Sequence, residues 1–202
     1  KKINIKNNNK QILAPHFVFY IKNLMEEKYG FTNIERRGLI IKTTLDLEIQ
    51  KMVDKIISQE INSIAKLNVS NGAAVVVGVR EGEILAMAGS KDYQAKDIDG
   101  KYNVTTALRQ PGSSIKPINY LLALENGYSM ASRIEDTPVT YQIKGQKPYS
   151  PQNYNGKYMG SVSLRTALGS SLNIPSVKLL EKNGVGKMID LGEKMGINSW
   201  KD

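Results

Sequence analysis

The chain has 202 residues, 41% of them hydrophobic, which is enough for one or two domains with a real core. It carries a net charge of +9, no cysteine and a single histidine. That composition excludes a disulfide framework, a thiolate metal site and a cysteine nucleophile, and no apolar run is long enough to span a bilayer. The basic excess fits either a lysine-rich solvated surface or attraction to an anionic partner such as a wall polymer or lipid headgroups. Aromatic residues are not interleaved with the basic ones as in known nucleic-acid modules, so no nucleic-acid partner is expected. The sequence opens at Lys1 without a signal-peptide pattern and is expected to be a fragment.

In chain order, residues 1–11 are Lys- and Asn-rich and read as a flexible lead-in. Pro15 to Tyr29 predicts a helix closing at Gly30, and the Ile-rich stretch from Gly38 to Thr44 predicts a short strand. Asp46 is placed to cap a long helix whose apolar positions Ile49, Met52, Val53, Ile56, Ile57, Ile61 and Ile64 form one stripe. Two apolar runs, Ala73–Val79 and Ile84–Ala88, flank a Gly-containing turn and predict a buried hairpin. The remainder reads as mainly helical. Segments Ser113–Glu125, Ser163–Leu168, Pro175–Glu181 and Val185–Met195 each run up to a glycine, and residues 141–158 form a loop dense in Tyr, Pro, Asn and Gly.

The chemistry concentrates at Arg109-Gln110-Pro111-Gly112-Ser113-Ser114-Ile115-Lys116-Pro117. Ser113 and Lys116 are one helical turn apart, so a hydroxyl and an amine share a face just after a Pro-Gly break. Pro117 is compatible only with a first helical turn, which puts Ser113 at a helix N-terminus where the free N–H groups favour developing negative charge. The bland alternative is that Ser113 merely caps the helix. A second Ser-x-x-Lys, Ser63 to Lys66, falls within the long helix and reads as a solvated face. His16 lies far upstream with no local pattern for a Ser-His-Asp arrangement, so its role is read as structural.

Ser170-Ser171-Leu172-Asn173 lies in a turn between two predicted helices. There Ser171 could pass a proton and Asn173 could orient a lysine or a substrate carbonyl, although polar residues in such turns are more often caps. Ser-x-x-Lys followed by Ser-x-Asn resembles the motif pair of penicillin-binding proteins and serine β-lactamases. Further stretches resemble a class A (bifunctional) penicillin-binding protein: Ala14-Pro15-His16-Phe17-Val18, Leu24–Gly30, Thr43–Asp46, Arg109–Ser113, Tyr149–Tyr154 and Ser163–Leu168. They occur in the family's order over most of residues 14–200. Two departures stand out. Leu172 occupies the middle of the second motif, and no Lys-Thr-Gly follows Asn173. The nearest match to it, Lys42-Thr43-Thr44, lacks the glycine.

The resemblance implies an α+β fold of the serine β-lactamase/D,D-peptidase type. Residues 1–70 would be interdomain linker and 71–202 the N-terminal part of the transpeptidase domain, with a hairpin over 73–89 and a helical insertion over roughly 95–202. Further strands bearing the third motif would follow Asp202, and a glycosyltransferase domain and membrane anchor would precede the linker. It also implies that Ser113 attacks a D-Ala-D-Ala stem peptide and is acylated by β-lactams. Lys116 would accept the proton, Ser171 would relay it, and Asn173 would hold Lys116 and the substrate amide. No cofactor or metal is implied, and the catalytic domain would lie outside the cytoplasmic membrane. Without the third motif, this stretch alone is expected to be inactive. A D,D-carboxypeptidase or β-lactamase, or a non-catalytic envelope module, are the competing readings.

Overall fold

A computed structural model describes residues 12–30 and 39–200. The lead-in over 1–11 and Gly38 of the expected strand lie outside the described residues. The chain forms two compact units, Lys1–Ala107 and Leu108–Asp202. No helix among the described residues is long and apolar enough to cross a membrane.

In the first unit, α1 (Pro15–Tyr29) and α2 (Leu47–Ser63) pack on an antiparallel hairpin of β1 (Ala74–Val77) and β2 (Ile84–Ala88). Asp46 caps α2, its carboxylate accepting from the N–H groups of Glu48 and Ile49. Phe17 of α1 packs on Met87, and Ile57 and Ile61 of α2 pack on Ala88. Two expectations change here. The buried stripe of α2 runs through Gln50, Ile57 and Ile61, while Met52 and Ile56 are 58% and 49% exposed. A helix buries only one narrow arc, and here a polar side chain occupies part of it: Gln50 Oε1 accepts the backbone N–H of Met87 at 2.8 Å. The hairpin is also buried unevenly: β1 is covered on one face only, its alternation turning Val75 and Val77 outward, whereas β2 buries Ala86, Met87 and Ala88 in succession.

The strand expected over 38–44 does not form among the described residues 39–44. Ile40 is 91% exposed, and the chain is tied to β2 at the end of the segment, by Thr44 Oγ1 on Ile84 O, and just past it, by Asp46 N–H on Leu85 O. β-Branched composition favours a strand only where a ladder is there to join. The second Ser-x-x-Lys also shifts: α2 ends at Ser63, whose hydroxyl donates to Glu60 O, so Lys66 lies past the helix in a short 3₁₀ turn. His16 is buried, its Nε2 2.9 Å from Ser90 Oγ. Ser90 gives its one proton to Gly100 O at 2.7 Å, so Nε2 of the imidazole is the donor to Ser90. Burial pushes the His16 pKa down.

In the second unit, a 3₁₀ turn (Gly112–Ile115) leads into α3 (Lys116–Glu125). A two-stranded sheet follows, β3 (Arg133–Asp136) antiparallel to β4 (Gly160–Ser163), then α4 (Leu164–Gly169), α5 (Asn173–Asn183) and α6 (Val185–Lys194). The four helices fall close to the expected segments, but β3 and β4 were not expected. Each strand contributes one inward apolar residue, Ile134 and Val162, too few to register as a strand pattern. α3 is buried on two sides. Tyr120 and Ala123 join Ile134, Leu164, Ala167, Leu172 and Leu179 in one core, while Ile118 and Leu122 meet Met188 of α6 in another.

Replacing Gln50 with leucine keeps the bulk but strands the Met87 N–H beneath α2. Chemical denaturation should register a loss of about 1–3 kcal/mol, the cost of an unsatisfied buried donor.

Candidate active site

The second unit gathers the sequence-predicted residues at the facing ends of α3 and α5. Before α3, Gly112 adopts φ +55°, a left-handed conformation open to glycine at little cost, and the chain then winds directly into the helix. Ser113 lies in this 3₁₀ turn rather than in the α-helix itself, and the Lys116 N–H donates to Ser113 O. Neither the turn nor α3 has a side-chain cap, so the Ser113 hydroxyl is not engaged in capping and is exposed. The N–H groups that open the turn, before that of Ser114 which donates to Pro111 O, precede any intrahelical acceptor.

The loop joining α4 to α5 has the hydrogen bonds of a Schellman motif. Ser171 N–H donates to Leu168 O and Leu172 N–H to Ala167 O, both at 2.9 Å, and Leu172 packs with Ala167 in the core. The position that glycine usually fills in this motif is Ser171, at φ +51°. An L-residue there is strained by about 1–2 kcal/mol. The strain turns both the carbonyl and the hydroxyl of Ser171 toward Lys116. Asn173 is not in the turn, as the sequence suggested, but is the first residue of α5.

Lys116 is 7% exposed, and its ammonium meets three acceptors across the helix pair. It donates to Ser171 O at 2.5 Å, to Asn173 Oδ1 at 2.7 Å and to Ser171 Oγ at 3.1 Å. Three acceptors match the three protons of an ammonium. Burial nevertheless pushes the Lys116 pKa below that of an ordinary lysine, because the site withholds the water that stabilises charge. A neutral amine here would keep two donors and gain a lone pair. Ser171 Oγ, already accepting from Lys116, has its own proton to offer outward. Lys116, Ser171 and Asn173 are thus joined side chain to side chain, whereas Ser113 is tied to Lys116 through the backbone. Among the described residues no hydrogen bond links Ser113 Oγ to Lys116 Nζ.

Two residues of this site carried no sequence signal as site residues. Gln152 O accepts from Asn173 Nδ2 at 2.9 Å, and Asn153 Oδ1 accepts the Asn173 N–H at 2.8 Å. Both lie in the Tyr- and Pro-rich loop, where only proximity in the fold distinguishes one polar residue from another.

Residues 72–201 match the family model described as penicillin binding protein transpeptidase domain. Penicillin-binding protein 2D of Bacillus subtilis (strain 168) is 33% identical over 198 residues, which is 95% of this chain and 28% of that protein. Penicillin-binding protein 1B of Haemophilus influenzae is 34% identical over 189 residues, 90% of this chain and 24% of that protein. The chain therefore spans about a quarter of the length of these curated relatives. Among solved structures, penicillin-binding protein 1A from Haemophilus influenzae superposes with a TM-score of 0.58 at 35% identity, over 62% of this chain and 18% of that one. PonA1 from Mycobacterium tuberculosis in complex with penicillin V gives a TM-score of 0.71 at 21% identity, over 93% of this chain and 48% of that one, a likeness of fold.

Ser171→Gly should have a higher thermal midpoint than Ser171→Ala, because both lack the hydroxyl beside Lys116 but only glycine relieves a left-handed L-residue worth about 1 kcal/mol. Valine at the same position should lower the midpoint further, since a β-branched side chain fits φ > 0 least well. Paired melting curves test both.

Proposed function

Because the chain belongs to the penicillin-binding protein transpeptidase domain family, we propose that it forms part of a peptidoglycan D,D-transpeptidase in which Ser113 is the acylated nucleophile. Residues 71–202 would supply the N-terminal part of that domain, and residues 1–70 the linker from a preceding glycosyltransferase domain. The observation that carries the reading is the Lys116 ammonium, almost wholly buried yet answered by Ser171 and Asn173.

In the proposed cycle the Ser113 hydroxyl gives its proton to neutral Lys116 as its oxygen bonds to the penultimate D-Ala carbonyl carbon of a stem peptide. The proton then passes through Ser171 Oγ to the amide nitrogen, the C–N bond breaks, and D-Ala leaves as a neutral amine. An amine from a neighbouring stem peptide attacks the resulting ester, its proton returns by the same path, and Ser113 is released beside a new cross-link. The tetrahedral oxyanion would lie against the N–H of Ser113, a contact whose loss costs about 2.7–4 kcal/mol in comparable sites. Asn173 would fix Lys116 through Oδ1. A β-lactam presents the same kind of scissile amide and would stop the cycle at the ester. The substrate would place this domain on the outer side of the cytoplasmic membrane, in a protein anchored there.

In the complete protein, a fluorescent penicillin should label a single peptide containing Ser113, and Ser113→Ala should abolish the label. Mass spectrometry of the digest decides this, and a label surviving that substitution rules the reading out. Lys116→Ala should slow acylation by about 10²–10⁴-fold, the usual worth of a positioned base. With the folded pKa of Lys116 lowered, the neutral amine becomes available at lower pH than for a solvated lysine. The acylation rate should therefore climb with pH along a limb centred below the ordinary lysine range. A limb centred at or above that range would exclude Lys116 as the base.

A further inference from the structure

Helix α5 begins without a cap of its own. Its N-cap residue is Leu172, which has no side-chain acceptor, so the first N–H groups of the helix must be met from elsewhere. The acceptor is Asn153, a buried residue of the loop between β3 and β4. Its Oδ1 lies 2.8 Å from the Asn173 nitrogen and 3.5 Å from that of Ile174. Its Nδ2 faces the other way and donates to Asp136 Oδ1 at 2.8 Å, Asp136 Oδ2 at 3.0 Å and Lys157 O at 2.8 Å. Acceptors on one side and N–H groups on the other fix which end of the amide points where.

Asp136 is fully buried at the end of β3, and its carboxylate also accepts the Met159 N–H at 2.8 Å. Uninterrupted hydrogen bonds thus run from a buried carboxylate through the Asn153 amide to the backbone of Asn173, whose side chain holds Lys116 at 2.7 Å. The side chain of Asn173 is fixed in the same way, Nδ2 donating to Gln152 O at 2.9 Å. We infer that Asn153, oriented by Asp136, is a positioning residue for acyl transfer: it caps α5 from a distance and thereby sets the Asn173 carboxamide against Lys116. This rests on the transpeptidase reading above.

The geometry also dictates how the pair can be altered. A carboxylate at 153 could still accept the two helix N–H groups but would confront that of Asp136. An amide at 136 would have no acceptor to meet unless the Asn153 amide turned over and released α5. Exchanging the two groups restores complementarity. In D136N/N153D the carboxylate takes the helix N–H groups, and the amide donates to it while accepting from Met159. Two acceptors are left facing the new carboxylate, the Lys157 carbonyl and the amide oxygen that takes the Met159 N–H, so the restoration is partial.

The test measures the second-order rate of acylation by a fluorescent penicillin in the complete protein, normalised to the folded fraction from thermal melts. Asn153→Ala should slow acylation by about 10²-fold, the usual effect of displacing a catalytic group by an ångström, with the label still on Ser113. N153D and D136N should each be slow, and D136N/N153D should recover part of the loss, which a purely structural role would not produce once folding is normalised. Wild-type acylation rates in folded Asn153→Ala would overturn the assignment. If that variant does not fold, a double exchange no faster than N153D alone would overturn it. Failure of the wild-type protein to label Ser113 would instead remove the transpeptidase reading, and this inference with it.

Discussion

A lysine ammonium drawn almost entirely out of water governs the second unit. Burying a charge is costly unless hydrogen bonds replace its hydration, so Lys116 can occupy the α3–α5 interface only because the chain supplies three acceptors there. The supply demands that the two helices hold a fixed register, and amides along their interface provide it. Asn119 Nδ2 donates to Ser176 O, Asn183 Nδ2 donates to both Asn119 O and Asn119 Oδ1, and Asn126 Nδ2 reaches Asn183 Oδ1. Buried amides satisfied on both sides are directional in a way that leucine packing is not. The apolar clusters on either side contribute the bulk of the stabilisation, and the amides select one alignment of the helices.

Left-handed backbone sits on both sides of that ammonium. Gly112 takes a left-handed conformation immediately before Ser113, where glycine tolerates it, and Ser171 takes one where glycine would be the ordinary choice. Keeping serine at the second position sacrifices stability for a hydroxyl beside Lys116. The same economy appears at the start of α5, where an apolar N-cap residue fills the core and the capping duty passes to a remote loop. Stability and chemistry therefore compete at the same few residues, and the surrounding helices and sheet determine the outcome.

The first unit follows different rules. Its helices pack on a hairpin through a modest apolar interface, and polar side chains complete it at two points: Gln50 meets a backbone N–H of β2, and His16 meets Ser90. Periodicity gives no sign of Gln50 in the buried stripe, whereas His16 already reads as structural in the sequence. The stripe on α2 looked wider than it is because isoleucine and methionine also stand on its exposed flank, and a hydrophobic pattern does not report which residues are covered. The strand expected before α2 failed for a related reason, since composition speaks of preference and not of pairing.

Local signals made the helices legible: Asp46 as a cap, Pro15 and Pro117 in first turns, glycines past the ends, and an apolar period that survives without knowledge of neighbours. The Ser-x-x-Lys and Ser-x-Asn residues were legible for the same reason, because each motif is a short-range arrangement of chemically distinctive groups. The family resemblance, and no local pattern, implied Asn173 against Lys116; tertiary structure alone decided that the Ser171 carbonyl also meets Lys116, that Ser171 is strained, and that Asn153 and Asp136 stand behind them. Those facts depend on contacts between residues far apart in the chain, and a hydrogen bond across such a distance leaves no periodic or compositional trace in either segment that makes it.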